Sequence, residues 1–126
     1  MTTTEGSPRR VLIVEDNPSL ARVVSELLRL EGFHVETSND GLAALQLFTE
    51  RGPFDLVLCD VLLPGLHGKD VAQRILAEHP RTGVILWSGG STDPEAIGLP
   101  EVRILQKPLD ADQLLTAVSE VLGPPP

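Results

Sequence analysis

The chain has 126 residues, 41% of them apolar, enough for one domain with a single buried core. Acidic side chains outnumber basic ones 18 to 10, and the net charge of −8 argues against nucleic acid as a direct partner, since that role needs clustered Lys and Arg. No apolar run exceeds strand length, the N-terminal stretch lacks a signal-peptide core, and the lone Cys59 permits no internal disulfide, so a cytoplasmic protein without membrane insertion is expected.

Residues 1–8 read as a flexible tail, 9–123 as one domain and 124–126 as a Pro-rich tail. The unbroken run Val11-Leu12-Ile13-Val14 has the character of a strand buried on both faces. Asp16 or Asn17 can cap the helix that follows, with Pro18 in its first turn. Its expected apolar stripe is Leu20, Val23, Val24, Leu27 and Leu28, and Gly32 ends it. A weaker strand over 33–37 leads, through Asn39 or Asp40 as a cap, into a second helix with Leu42, Leu45 and Phe48 inward. Gly52-Pro53 stops that helix before a strand at 54–59. A third helix is predicted over 68–79, with Val71, Ile75 and Leu76 inward, and a fourth strand over 83–87.

Between Gly89 and Arg103 the Gly and Pro content leaves room for about one helical turn, so the fourth crossover helix should be short. A fifth strand over 103–106 precedes Lys107-Pro108. The last helix starts at Asp110 and stops at Gly123, burying Leu114, Leu115, Val118 and Leu122. Strands alternating with helices imply a doubly wound α/β domain, its five-stranded parallel sheet covered on both faces.

Four strand tips carry chemistry: Glu15 and Asp16 after the first, Asp60 on the third, Ser88 on the fourth and Lys107 after the fifth. In an open α/β sheet such tips surround one crevice, where ligands bind. Clustered carboxylates repel one another unless a cation fills the gap, and an all-oxygen set suits Mg²⁺ (or Mn²⁺). A carboxylate can attack phosphorus to form an aspartyl phosphate, while an ammonium neutralises the phosphoryl oxygens and a hydroxyl donates to them. Eight of the ten basic side chains are arginine, which makes a lysine at a strand tip conspicuous.

The segments Val11-Leu12-Ile13-Val14-Glu15-Asp16-Asn17 and Asp60-Val61-Leu62-Leu63-Pro64-Gly65-Leu66-His67-Gly68, then Ser88 and Lys107-Pro108, together resemble the receiver domains of bacterial two-component response regulators. The resemblance runs from Arg9 to Leu122. It implies a flavodoxin-like (βα)5 fold with strand order 2-1-3-4-5, and Asp60 as the phosphoacceptor for a histidine kinase or histidine phosphotransfer protein. It implies that Asp16 and Asp60 ligate Mg²⁺ directly, with the Leu62 backbone carbonyl as a third protein ligand and Glu15 acting through water. Lys107 would bind the phosphoryl oxygens, Ser88 would be the switch hydroxyl, and Lys107–Pro108 would be cis. The implied output is a population shift that a downstream protein target reads, from a monomer or weak dimer. Its only chemistry would be self-catalysed phosphotransfer and autodephosphorylation.

Three departures from the family pattern bear on mechanism. Ile104 stands where an aromatic switch residue is usual. The short Gly/Pro-rich path from Ser88 to Lys107 should alter the face formed by the fourth helix, fifth strand and last helix; with Ser88-Gly89-Gly90 it is similar to hybrid-histidine-kinase receivers. Leu62 is apolar where some relatives are polar, and it is expected to limit attacking water and lengthen the acyl-phosphate lifetime. The alternative function is a degenerate receiver, a phosphorylation-independent interaction module. A haloacid-dehalogenase-like enzyme would need a second Asp at the position of Leu62, and a flavodoxin-like carrier would need a phosphate cradle where Glu15 and Asp16 stand.

Among the blander readings, Asp16 and Asp60 are turn caps, Glu15 is a solvated side chain and Ser88 is a turn hydroxyl. Cys59 is read as a small buried hydrophobe, and His34, His67 and His79 as surface residues. Trp87 is expected to pack under a helix on the face opposite Ser88.

Overall fold

The computed structural model describes residues 8–89, 97–108 and 110–123. In chain order the elements are β1 (Arg10–Val14), α1 (Pro18–Leu30), β2 (His34–Ser38), α2 (Gly41–Arg51), β3 (Leu56–Asp60), α3 (Gly68–Glu78), β4 (Gly83–Ser88), β5 (Arg103–Gln106) and α4 (Ala111–Leu122). All neighbouring strands pair in parallel, in the order β2-β1-β3-β4-β5, as expected. The short helix expected near Pro94–Ile97 falls mainly on residues 90–96, outside the described residues.

The continuous apolar strands follow from burial on both sides. Leu12, Val14, Val57, Cys59, Val84 and Leu86 face a core closed by Ala44 and Phe48 of α2 and by Val71, Ala72 and Ile75 of α3. The alternate residues Val11, Ile13, Leu56, Leu58, Ile85 and Trp87 face a second core, closed by Val24 and Leu28 of α1 and by Leu114, Ala117 and Val118 of α4. Trp87 therefore lies under helices, on the face opposite its neighbour Leu86. Among the described residues no helix is long and apolar enough to cross a membrane.

Local capping sets where the helices begin. Asn17 caps α1, its side chain accepting from the Ser19 and Leu20 N–H groups at 3.0 and 3.2 Å. Asp40 caps α2 through the Ala43 N–H at 2.7 Å, and Asp110 caps α4 through the Gln113 N–H at 3.1 Å.

The inward stripes differ from expectation at two positions. Val23 is 60% exposed and Leu42 58% exposed. Ala21, Val24, Ser25 and Leu28 form the buried i, i+3, i+4, i+7 set of α1, and Gly41, Ala44 and Phe48 that of α2. Ala21 and Ser25 of α1, and Gly41 and Ala44 of α2, thus share the buried faces with Leu28 and Phe48, and this rotation of each helix leaves Val23 and Leu42 at the surface.

Candidate functional site

Because β1 and β3 are adjacent at the centre of the sheet, their C-terminal tips bring Glu15, Asp16 and Asp60 together. One carboxylate oxygen from each lies within 4.8 Å of the others. Around a Mg²⁺ ion at 2.0–2.1 Å adjacent oxygens stand about 2.9 Å apart and opposite ones about 4.1 Å, so this all-oxygen set suits such an ion once its side chains draw together. The register pairs Asp60 with Trp87, placing Ser88 one residue beyond Asp60 on the next strand. Ser88 is buried, and its carbonyl accepts from the Lys107 N–H at 2.7 Å.

Lys107 joins the two sides of the crevice. Its Nζ donates to Glu15 Oε1 and to Asp60 Oδ2, both at 2.8 Å. The other oxygen of each carboxylate is also held: Glu15 Oε2 accepts from the Asn17 N–H and Asp60 Oδ1 from the Leu62 N–H, both at 3.0 Å. A carboxylate has about four lone-pair positions, so these contacts leave capacity for a cation.

Burial alone would lower the pKa of Lys107, but its bonds to Asp60 and Glu15 outweigh that and push it up. Glu15 shifts up as well: burial raises it and the Asp60 charge adds to this, against the opposing bonds from Lys107 and Asn17. Asp16 is exposed at the mouth, on the lining of a cleft of about 770 Å³ between α1, the tip of β2 and α2.

The loop after Asp60 is fixed at its far end. The Gly68 N–H donates to the Val61 carbonyl at 2.8 Å, and a Cβ on Gly68 would sit 2.3 Å from the Asp60 carbonyl oxygen. Only glycine lets α3 start this close to the β3 tip. His67 caps α3, its Nδ1 accepting from the Lys69 N–H at 3.1 Å. The Leu62 side chain is 70% exposed. Ile104 is half-buried against the core shared by α2 and α3. The peptide bonds Lys107–Pro108 and Gly52–Pro53 are cis.

Comparison with known proteins shows the family. A family model, the response regulator receiver domain, matches residues 11–119. The chain belongs to that family. The receiver domain is 37% identical over 114 residues to the sensory transduction protein RegX3 of Mycobacterium bovis, covering 89% of this chain and 50% of that protein. It is 36% identical over 112 residues to the DNA-binding response regulator MtrA of Mycolicibacterium smegmatis, covering 87% and 49%. The receiver domain thus spans about half the length of these curated relatives. Among solved structures, the response regulator receiver protein from Sinorhizobium medicae WSM419 superposes with a TM-score of 0.87 at 25% identity, over 95% of this chain and 98% of that one.

The structure corrects one reading of the receiver crevice and adds one feature. Glu15, whose blander reading was a solvated side chain beside that of a metal ligand acting through water, is only 2% exposed. The available signal was its place directly after four fully buried strand residues, where the chain has not yet left the core. The tight Gly68 approach had no local signal, because it depends on where β3 ends relative to α3. Cys59 is buried, with burial pushing its thiol pKa up, and His34, His67 and His79 are exposed.

Proposed function

We propose that this receiver domain is a phosphorylation-dependent switch with Asp60 as the phosphoacceptor. The observation that carries the reading is the Lys107 ammonium at 2.8 Å from both Asp60 and Glu15, beside a third carboxylate. A degenerate interaction module would have no need of a buried charge cluster, which is costly unless its members are paired or filled.

The donor is a phosphohistidine on a histidine kinase or phosphotransfer protein. An Asp60 carboxylate oxygen forms the new O–P bond as the N–P bond breaks, and the electron pair returns to the donor imidazole. Asp16, Asp60 and the Leu62 carbonyl would hold Mg²⁺ (or Mn²⁺), with Glu15 reaching it through water. Bound there, the ion would neutralise charge on the transferring group. Lys107 binds the phosphoryl oxygens, and Ser88, on the adjacent tip, donates to them and serves as the switch hydroxyl. Ile104 takes the position of the aromatic partner of that switch and repacks against the α2–α3 core.

The domain proper spans 9–123, acts in the cytoplasm as a monomer or weak dimer, and signals to a downstream protein rather than to nucleic acid. Water slowly hydrolyses the acyl phosphate in the same crevice.

Intact-mass spectrometry after incubation with acetyl phosphate and Mg²⁺ tests the central step. A single phosphoryl adduct is expected on the wild type and none on Asp60→Asn. Equal labelling of both proteins would remove Asp60 from the role, and no adduct on either would favour the degenerate module.

A further inference from the structure

Trp87 is the chain's one tryptophan and is fully buried on β4. Its companions on that face are aliphatic, among them Ile13, Leu58, Ile85 and Val118. Its indole Nε1–H finds no acceptor among the described residues, a cost that Leu or Ile at the same position would not incur. What the indole offers instead is an electron-rich face. The Lys107 Nζ lies over that ring, 5.8 Å from its centroid, within the range of a cation–π attraction. Backbone contacts hold both partners in place: the Trp87 carbonyl accepts from the Val61 N–H at 2.9 Å, and the Lys107 N–H donates to Ser88 at 2.7 Å.

We propose that Trp87 is a positioning residue for the Lys107 ammonium. Its ring gives Nζ a neutral third contact beside Asp60 and Glu15. That contact does not depend on either carboxylate, so it persists when a phosphoryl group changes the charge on Asp60. The functional consequence rests on the reading of Asp60 as phosphoacceptor; the contact itself does not.

The chain has only two lysines, Lys69 and Lys107, so lysine-selective ¹³C labelling yields two side-chain signals that can be told apart by Lys69→Arg. In the wild type the Lys107 ε-methylene protons should lie upfield of those of Lys69 through the indole ring current. The shift should vanish in Trp87→Leu and persist in part in Trp87→Phe. Adduct formation with acetyl phosphate should slow about three- to fivefold in Trp87→Leu and stay within about twofold of wild type in Trp87→Phe, which keeps a ring face. Coincident Lys107 and Lys69 shifts in the wild type, or Phe as slow as Leu, would overturn the proposal. If Trp87→Leu does not fold, the wild-type shift and the Phe rate decide it. Absence of any wild-type adduct would sink the phosphoacceptor reading instead, and the shifts alone would then decide whether Trp87 positions Lys107.

Discussion

Glu15 is the residue at which function and stability pull apart. Its carboxyl pKa is raised, by burial first and by Asp60 next, so the folded state favours the protonated form. Stability from such a group is fully present below the usual carboxylate pKa and is lost as pH rises through the raised value. Near neutral pH Glu15 therefore costs stability when no cation is bound. Glu15→Gln keeps an acceptor for the Asn17 N–H and removes the charge. We expect urea unfolding in EDTA at pH 7 to show it about 1 kcal/mol more stable than wild type, while Mg²⁺ binds more weakly. A loss of stability would mean that the Lys107 contact outweighs burial. Leu62 is the second residue to test. Its N–H is tied to Asp60 Oδ1 and the residue is 70% exposed, so with Asp60 as the proposed phosphoacceptor the group at this position would border water approaching the acyl phosphate. Leu62→Asn should hasten dephosphorylation roughly tenfold by orienting that water. An unchanged decay of the mass adduct would dismiss Leu62 as a barrier.

Between elements, the start of α3 is set by a contact rather than by propensity. Gly68→Ala would drive a methyl group into the Asp60 carbonyl and to 2.9 Å from Val61 Cα, both backbone atoms that cannot swing aside. Overpacking of this kind costs about 1–3 kcal/mol. The variant should unfold at lower urea and also take up phosphate more slowly, because the displaced backbone carries Asp60. Loss of stability without loss of rate would mean that the site tolerates the shift. A second tie lies near the opposite end of the sheet, where Glu36 of β2 meets Arg51 of α2 at 2.6 Å and Arg10 of β1 at 3.1 Å. Burial would raise the Glu36 pKa, but the bonds and charges of Arg51 and Arg10 outweigh it and lower it. A depressed carboxyl stabilises above its unfolded pKa and loses that contribution as pH falls through the folded value. Glu36→Gln should thus cost about 1 kcal/mol at pH 7 and progressively less below about pH 4.5. Such ties mark the limit of what is legible in the sequence. Runs such as Val11–Val14 depend on a few adjacent residues and could be read directly, and the caps could be narrowed to Asp16 or Asn17 and to Asn39 or Asp40, of which the structure selects Asn17 and Asp40. The Glu36 network, the Gly68 approach and the outward turn of Val23 and Leu42 depend on register and on how helices seat against the sheet. Residues far apart in the chain decide those features.

For the whole molecule, the crevice concentrates negative charge in a chain already at −8. Lys107 compensates part of it, and a divalent cation would compensate more. A ligand that binds only the folded state stabilises it by mass action, by about 1.4 kcal/mol at ten times its dissociation constant. For a domain of this size that corresponds to a rise of roughly 4–7 °C in Tm. The same gain could come from screening of the overall charge, so the control is NaCl at matched ionic strength, which should reproduce only a small part of it. Asp16 separates the two effects more sharply. It is exposed, so Asp16→Asn should shift the metal-free Tm little, within about 0.5 kcal/mol of stability. It also removes one of the three clustered carboxylates, so the Mg²⁺-dependent rise should largely disappear. A rise in Asp16→Asn equal to that of wild type would place the cation elsewhere and leave the Lys107 ammonium, bonded to Asp60 and Glu15, to compensate the crevice.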